Sequence, residues 1–287
     1  MPNAPSATPP RERALVVDGV RSRAFEAGPD ASEAVVFVHG NPNSAAEWSD
    51  LMARTGEFAR AVAVDMPGFG KADRPREFAY PVEGYVRFLD AALDELGIER
   101  AHLVLHDFGG PWGLGWALTR PDAFASAVLI NTGVLIGFEM HRVGRIWGKP
   151  VLGELFMAVT SRSAFRRSIQ ASNPRLPQSF IDEMYDDYDR GTRRTVLQLY
   201  RNRTDDELLT QAAAALRQLD RPALVVWGTA DEFVPVRHAY QQRDVAFPRA
   251  EVVLLEDSAH WPFVDDPDGV ADAVIPFLRQ QVGARAG

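Results

Sequence analysis

The sequence predicts an α/β fold, with helices on both faces of a mostly parallel sheet and an inserted helical segment. Short apolar runs rich in β-branched residues alternate with stretches of helical periodicity, which is typical of parallel strands covered by helices. About 90 residues separate two of these runs, where one crossover needs roughly 30, and this excess predicts the insertion. The chain of 287 residues is long enough for one such domain with its insertion.

Eight strands are predicted in order along the chain. The first two, at 14–18 and 22–27, form an antiparallel pair. The six apolar runs that follow are 34–38, 60–65, 101–106, 127–131, 223–227 and 251–255. Between the second and third of these runs lies an amphipathic helix that begins near Val82 and ends before Gly97.

The long interval between Asn131 and Leu224 is interpreted as a cap. Its sequence is typical of helices. It leaves the sheet at the carboxyl end of a strand, the edge at which open α/β sheets bind their ligands. The predicted domains are a core α/β domain made of residues 1–132 and 218–287 and a helical cap made of residues 133–217.

The composition excludes several classes of partner and site. Acidic side chains outnumber basic ones by 39 to 31, a net charge of -8, which argues against nucleic acid or an anionic membrane as partner. The absence of cysteine excludes disulfides, thiolate metal sites and a cysteine nucleophile. The histidines show no ligand spacing, so no metal and no organic cofactor are expected. The first ten residues hold no apolar run, so we expect a cytoplasmic protein without a membrane span. The expected state of assembly is a monomer or a homodimer.

Asp107 lies where a buried strand meets a helix, within the sequence Leu-His-Asp-Phe-Gly-Gly at 105–110. A side chain on such a sharp strand-to-helix turn is exposed above the sheet, and the first amides of the helix point toward whatever reacts there. Taken alone, Asp107 is equally well explained as the N-cap of that helix, a common position for aspartate. The other candidate residues favour a reactive side chain.

His260 and Asp231 complete a candidate site with Asp107. Asp231 follows the strand at 223–227, and His260 follows the strand at 251–255. All three therefore lie at the carboxyl ends of strands, where open α/β sheets place their ligands. Four other histidines are interpreted as structural, solvated or helix-packing residues: His102, His106, His141 and His238.

Asn41 belongs to the turn His-Gly-Asn-Pro at 39–42, directly after the strand at 34–38. This turn aims its backbone N–H groups at the same edge of the sheet. The N–H groups of Asn41 and Phe108 would together form an oxyanion hole with two donors. A plain structural turn is the alternative interpretation of the segment.

With these motifs, the chain resembles the α/β-hydrolase superfamily, and specifically its aspartate-nucleophile branch, which contains haloalkane dehalogenases and epoxide hydrolases. The resemblance covers residues 16–278 and is weakest in the cap. The order nucleophile, acid, histidine along the chain is the order of that superfamily. The resemblance implies that Asp107 is the nucleophile, His260 the base and Asp231 the acid that orients the base.

An aspartate nucleophile implies a particular chemistry. Its carboxylate is ionised at neutral pH and needs no base, so the suitable electrophile is an sp³ carbon that carries a leaving group. Attack gives an ester at Asp107, which water activated by His260 then hydrolyses. The expected substrate is a small apolar molecule, with water as the second reactant.

The first of two leaving groups is a halide. Haloalkane dehalogenases share the Asn41 motif, in which the side-chain amide helps to hold the halide. They carry tryptophan where this chain has Phe108, whose ring has no donor. Trp112, Trp147 or Trp261 could replace this donor, although packing explains these aromatic residues equally well.

The second leaving group is the oxygen of an epoxide. Epoxide hydrolases use cap tyrosines to protonate the opening oxygen, and this cap offers Tyr185, Tyr188 and Tyr200. The segment 199–202 is similar to the one that carries such a tyrosine in that family, but residues 133–180 contain no tyrosine. The epoxide route lacks only the second of two tyrosine donors, whereas the halide route lacks the donor next to Asp107. Epoxide hydrolysis is therefore slightly favoured, and haloalkane dehalogenation is the alternative.

Two further alternatives stay open on the same fold. A non-catalytic binding protein would have no reason to keep three compatible side chains at three separate strand ends. An esterase would be expected to carry serine at position 107, because an acyl substrate attacked by Asp107 would give an anhydride. The residues at 107, 231 and 260 therefore favour a hydrolase that acts on an sp³ carbon.

Overall fold

The computed structural model describes residues 8–76, 78, 80–202 and 204–283. These residues form eight strands and twelve α-helices. The strands are β1 (Arg11–Val17), β2 (Val20–Ala27), β3 (Glu33–Val38), β4 (Arg60–Val64), β5 (Arg100–His106), β6 (Phe124–Ile130), β7 (Ala223–Gly228) and β8 (Glu251–Leu255). The helices are α1 (Ser49–Thr55), α2 (Val82–Glu95), α3 (Gly109–Thr119), α4 (Arg142–Trp147), α5 (Leu152–Val159), α6 (Arg162–Ser172), α7 (Gln178–Asp186), α8 (Arg190–Arg201), α9 (Asp206–Leu219), α10 (Arg237–Val245), α11 (Pro262–Asp265) and α12 (Pro267–Gln281).

All eight strands form one sheet in the order β1-β2-β4-β3-β5-β6-β7-β8. β2 pairs antiparallel with both β1 and β4. The remaining pairs, from β4 across the sheet to β8, are parallel. The predicted fold is therefore confirmed, and the carboxyl ends of β5, β6, β7 and β8 meet at one edge.

The central strands are buried on both faces, which explains their continuous apolar sequences. Every residue of β4, β6 and β7 is buried, and β3 and β5 are buried after their first residue. The predicted amphipathic helix is α2, whose side chains Tyr85, Leu89 and Leu93 are buried in the core. It ends just before Gly97, whose φ angle of +65° is a conformation that favours glycine.

Between β6 and β7 the chain forms α4 to α9 in place of one crossover helix. α4 packs against α5 and α8, and α6 packs against α7, so the insertion has helix contacts of its own. α9 packs against α3 and α10, and the predicted cap limit at residue 217 falls inside this helix. Across the described ranges, no helix has both the length and the low charge that a bilayer crossing requires.

Candidate active site

Asp107 occupies the sharp turn between β5 and α3. Its φ angle is +48°, a left-handed conformation that residues other than glycine rarely adopt. The Thr132 hydroxyl donates to the Asp107 backbone carbonyl over 2.5 Å. A Cβ atom added to Gly40 would lie 2.4 Å from Oδ1 of Asp107, so only glycine fits at this position of the neighbouring turn. These contacts hold the carboxylate at the carboxyl edge of the sheet.

The structure brings Asp107, Asp231 and His260 together. Asp231 follows β7, and its Oδ2 atom lies 2.8 Å from Nδ1 of His260. On the other side of the ring, Nε2 of His260 lies 3.5 Å from Oδ2 of Asp107. The side chains of Asp231 and His260 are buried, whereas 15% of the Asp107 side chain is exposed. The accessible member of the set is the residue predicted to be the nucleophile.

The charges of these three side chains stabilise one another. Burial opposes ionisation of Asp107, but the hydrogen bond and the charge of His260 hold the pKa of Asp107 below its ordinary value. Burial likewise opposes a charge on His260, but the carboxylates of Asp231 and Asp107 raise the pKa of His260 above its ordinary value. The two carboxyl groups therefore favour the protonated form of His260 in the free site. Neutralising Asp107 would lower the pKa of His260 again.

Two asparagines that the sequence analysis did not assign to the site hold the acid and the loop of His260. The Asn131 side-chain amide donates to Oδ2 of Asp231 over 2.7 Å and to the Ala259 carbonyl over 3.1 Å. Asn173, which follows α6, accepts the backbone N–H of His260 over 3.0 Å. Asn131 has a φ angle of +49°, a left-handed conformation that asparagine adopts more often than most residues. The only sign of Asn131 in the sequence is its position directly after the β6 strand.

Asp107 and His260 line a cavity of about 200 Å³ between the sheet edge and the insertion. Its wall is mostly apolar and includes Phe108, Pro111, Leu135, Phe138, Trp147, Leu199, Phe233 and Trp261. Within the part of the chain that the structure describes, no lysine or arginine lines it. A small neutral apolar molecule is the ligand that such a wall accommodates.

The three predicted cap tyrosines take different positions. Tyr188 and Tyr200 line the cavity, but the Tyr188 hydroxyl donates to Sδ of Met157 over 3.0 Å. Tyr185 is not among the lining residues, and its hydroxyl donates to the Thr160 carbonyl over 3.4 Å. The structure therefore does not bring Tyr185 to the site, because its side of α7 packs within the insertion.

The Tyr200 hydroxyl lies between Asn41 and His141. Nδ2 of Asn41 is 3.5 Å from the phenol oxygen, and Nε2 of His141 is 3.2 Å from it. Burial raises the pKa of Tyr200 well above its ordinary value, so this hydroxyl stays protonated. The interpretation of His141 as a solvated or packing residue is incomplete, since His141 lines the cavity. No sequence signal identifies it, because its contact with Tyr200 depends on how α4 packs against α8.

Backbone and ring contacts complete the surroundings of the carboxylate. The backbone N–H of Asn41 donates to Oδ1 of Asp107 over 2.7 Å, where an oxyanion would form if water attacked an ester at that residue. The second donor, the N–H of Phe108, stays a prediction. The Phe108 ring packs against Tyr200 with centroids 5.6 Å apart, and Trp147 packs against Tyr200 at 4.8 Å.

Comparison with known proteins agrees with this fold. The model of the alpha/beta hydrolase fold family matches residues 33–267. A cis-3-alkyl-4-alkyloxetan-2-one decarboxylase of Xanthomonas campestris is 28% identical, over 94% of this chain and 96% of its own. Haloalkane dehalogenase 2 of Mycobacterium bovis is 26% identical, over 90% and 92%. The structure of haloalkane dehalogenase DbeA from Bradyrhizobium elkani superposes with a TM-score of 0.84 at 24% identity, over 94% of this chain and 98% of that one. The chain therefore belongs to the alpha/beta hydrolase fold family, and it is a hydrolase.

Proposed function

We propose that this hydrolase opens small apolar epoxides through a covalent ester at Asp107 and releases diols. The observation that carries the proposal is the position of Asp107, whose carboxylate lies 3.5 Å from His260 and faces an apolar cavity. A carboxylate in this setting is a nucleophile that needs no base. This chemistry supports membership of the aspartate-nucleophile branch of the family.

In the first step, a carboxylate oxygen of Asp107 attacks one ring carbon of the epoxide. The carbon–oxygen bond on that carbon breaks, and the departing oxygen takes the proton of the Tyr200 hydroxyl. The products are an alkyl ester at Asp107, which carries the new alcohol, and the phenolate of Tyr200. Tyr200 suits this role because it lines the same cavity and burial keeps it protonated until the oxygen departs.

In the second step, the ester is hydrolysed. Formation of the ester removes the negative charge of Asp107 and so lowers the pKa of His260. His260 then gives its proton to the phenolate of Tyr200 and becomes neutral. The neutral imidazole, held by Asp231 over 2.8 Å, then takes a proton from water, and the hydroxide attacks the ester carbonyl carbon. The N–H of Asn41, 2.7 Å from Oδ1, stabilises the oxyanion. When this adduct collapses, the bond from the carbonyl carbon to the alkoxy oxygen breaks, the imidazolium protonates that oxygen, and the diol leaves. The proton of the new carboxylic acid then passes to His260, which restores the carboxylate and the imidazolium.

An oxygen leaving group is supported by one relative as well as by the cavity. The Xanthomonas campestris relative is named for an oxetan-2-one, a strained cyclic ester with alkyl substituents. Such a ring resembles an epoxide in its strain and in carrying an oxygen on an sp³ carbon. Apolar walls accommodate the alkyl groups of both molecules.

Halide departure is the second candidate. The side-chain amide of Asn41 and the hydroxyl of Tyr200 lie 3.5 Å apart, close enough for both to contact one anion. The Mycobacterium bovis relative is named as a haloalkane dehalogenase. The ring of Phe108 has no hydrogen-bond donor. A halide in this site would therefore have one hydrogen bond fewer than in a site with tryptophan at this position, a loss of about 1.5 to 3 kcal/mol.

A covalent trap tests the proposal. The His260→Gln variant is incubated with styrene oxide or with 1-bromobutane, and the intact protein is weighed by mass spectrometry. We expect a stable increase by one styrene oxide molecule, because alkylation proceeds and ester hydrolysis stalls. The matched control is the double variant Asp107→Asn with His260→Gln, which should carry no adduct. The wild type should release phenylethanediol.

Each of the other possible results would indicate a different function or mechanism. Diol release by the wild type without any adduct in His260→Gln would contradict the covalent mechanism. A butyl adduct and free bromide, without a styrene oxide adduct, would select the halide candidate. The wild type is also incubated with p-nitrophenyl acetate as a third probe. Release of p-nitrophenolate from it, with neither adduct in His260→Gln, would indicate an esterase. Binding of the probes without any product would indicate that they are not substrates of this site.

A further inference from the structure

We propose that His141 is a positioning residue that orients the Tyr200 hydroxyl as a proton donor into the cavity, an inference that rests on the proposed function. His141 lies outside the set Asp107, Asp231 and His260. It acts on the reacting atoms only through Tyr200, whose phenol oxygen it contacts over 3.2 Å.

The hydrogen-bond pattern fixes one tautomer of His141. The residue precedes α4, and its Nδ1 atom accepts the backbone N–H of Gly144 over 3.2 Å. A neutral imidazole that accepts at Nδ1 carries its hydrogen on Nε2. Burial, reinforced by the positive charge of His260, lowers the pKa of His141 to about 4, so the ring is neutral at pH 7.

This tautomer decides the direction of the next hydrogen bond. Because Nε2 of His141 carries the hydrogen, it donates to the phenol oxygen, and Tyr200 cannot donate in return. The Asn41 side-chain N–H donates to the same oxygen from 3.5 Å. A phenol oxygen accepts at its two lone pairs and keeps one hydrogen of its own. The hydrogen of Tyr200 is therefore left to point into the cavity.

Aromatic packing keeps both rings in place. Trp147 packs edge-on against Tyr200, with centroids 4.8 Å apart, and against His141 at 6.0 Å. Phe233 packs against the His141 ring at 5.2 Å and against the His260 ring at 5.1 Å. The donor that His141 supplies is thus held by the same aromatic cluster that borders the catalytic histidine.

If His141 orients the Tyr200 hydroxyl, the effect of losing His141 on the alkylation rate should depend on the leaving group. A departing epoxide oxygen must take a proton, so it requires the Tyr200 hydrogen to point at it. A departing bromide takes no proton and is stabilised by any nearby donor. Loss of the His141 hydrogen bond should therefore slow epoxide opening far more than displacement of bromide.

The test uses His141→Asn, since asparagine is a good N-cap that can still accept the Gly144 N–H but does not reach Tyr200. The alkylation rate is measured in the His260→Gln background by rapid quench and mass spectrometry. We expect styrene oxide to react about tenfold more slowly and 1-bromobutane to change by less than about twofold. With His260 intact, the rate of ester hydrolysis should not change. His141→Ser, another capping replacement, provides a second variant should the first fold poorly.

Coupling to Tyr200 separates positioning from a general structural effect. In a Tyr200→Phe background, His141→Asn should have no further effect on alkylation, because the hydroxyl that it orients is gone. Equal losses with and without that hydroxyl would overturn the inference, and so would an unchanged styrene oxide rate in His141→Asn. Absence of any adduct in His260→Gln itself would instead contradict the proposed function.

Discussion

The site has two walls that the chain builds in different ways, the carboxyl edge of the sheet and the inserted cap. On the sheet side, Asp107 directly follows β5 and Asp231 lies three residues after the end of β7, so local turns fix their positions. On the cap side, Tyr200 and His141 come from helices whose mutual packing fixes theirs. Under the proposed function, the sheet would set the nucleophilic chemistry and the cap would set the leaving group.

The largest expected effect lies on the sheet side. Asp107→Asn removes the carboxylate that would form the proposed ester, and the amide that replaces it is a poor nucleophile. We expect kcat to fall about 10⁴-fold or more. The measurement is diol release, with circular dichroism to check the fold. Turnover within tenfold of the wild type would show that the sheet wall does not carry the chemistry.

Asp231→Asn should impair only the second step. The His260 ring loses the carboxylate at 2.8 Å that orients it and stabilises its positive charge. Ester hydrolysis should slow about 10³- to 10⁴-fold, while alkylation stays within a few-fold. The ester at Asp107 should then accumulate and be detectable by mass spectrometry. A variant that loses alkylation as well, with its fold intact, would contradict the division of steps.

Tyr200→Phe tests the cap side and should impair the first step, the alkylation of Asp107. Removal of the hydroxyl takes away the proton for the departing oxygen, so epoxide alkylation should slow about 10- to 100-fold. Ester hydrolysis, followed in a pre-formed adduct, should keep its rate. Equal losses in both steps would remove the distinction between the two walls.

Asn173 is where the cap supports the sheet side, so Asn173→Ala tests whether the walls are independent. Its Oδ1 atom accepts the backbone N–H of His260 over 3.0 Å, and the alanine leaves that buried donor without a partner. We expect the free energy of unfolding to fall by about 2 kcal/mol. Chemical denaturation measures this. An unchanged midpoint would show that the cap does not stabilise the histidine loop.

The smallest expected effect is a pH dependence of stability due to His141. Its pKa is about 4 in the folded chain and about 6.5 when unfolded, so below pH 6.5 the unfolded chain binds the proton first. Stability from this group is fully present above pH 6.5 and declines as the pH falls toward 4. At pH 5.5 the loss is about 1 kcal/mol. His141→Asn should lack this part of the decline when denaturation at pH 7.5 and 5.5 is compared.

The sheet was predictable because its strands leave a direct mark on the sequence. Burial on both faces makes β6 and β7 continuous apolar runs, and the turns after them place Asn131 and Asp231 within a residue or a few of a strand end. The candidate residues at this edge could therefore be assembled from spacing alone. The role of Asn131 was missed, since a hydrogen bond to Asp231 requires the register between two strands.

The cap could not be predicted to the same depth. Tyr185 and Tyr188 are three residues apart, but their hydroxyls reach Thr160 and Met157 respectively, because the packing around the end of α7 decides where each ring lies. His141 was unassigned for the same reason. Helix rotation in the cap depends on contacts between segments distant in sequence, which periodicity does not encode.

The hydrogen bonds of Asn131 and Thr132 restrict how the insertion can be exchanged between related enzymes. Both residues stand where the chain departs from β6, yet one bonds to the acid Asp231 and the other to the turn of Asp107. A chimaera that joins a foreign cap directly after Ile130 would sever both bonds. Grafting from Gly133 onward would keep the hydrogen bonds to Asp231 and to the turn of Asp107 while replacing the cavity wall that the insertion supplies.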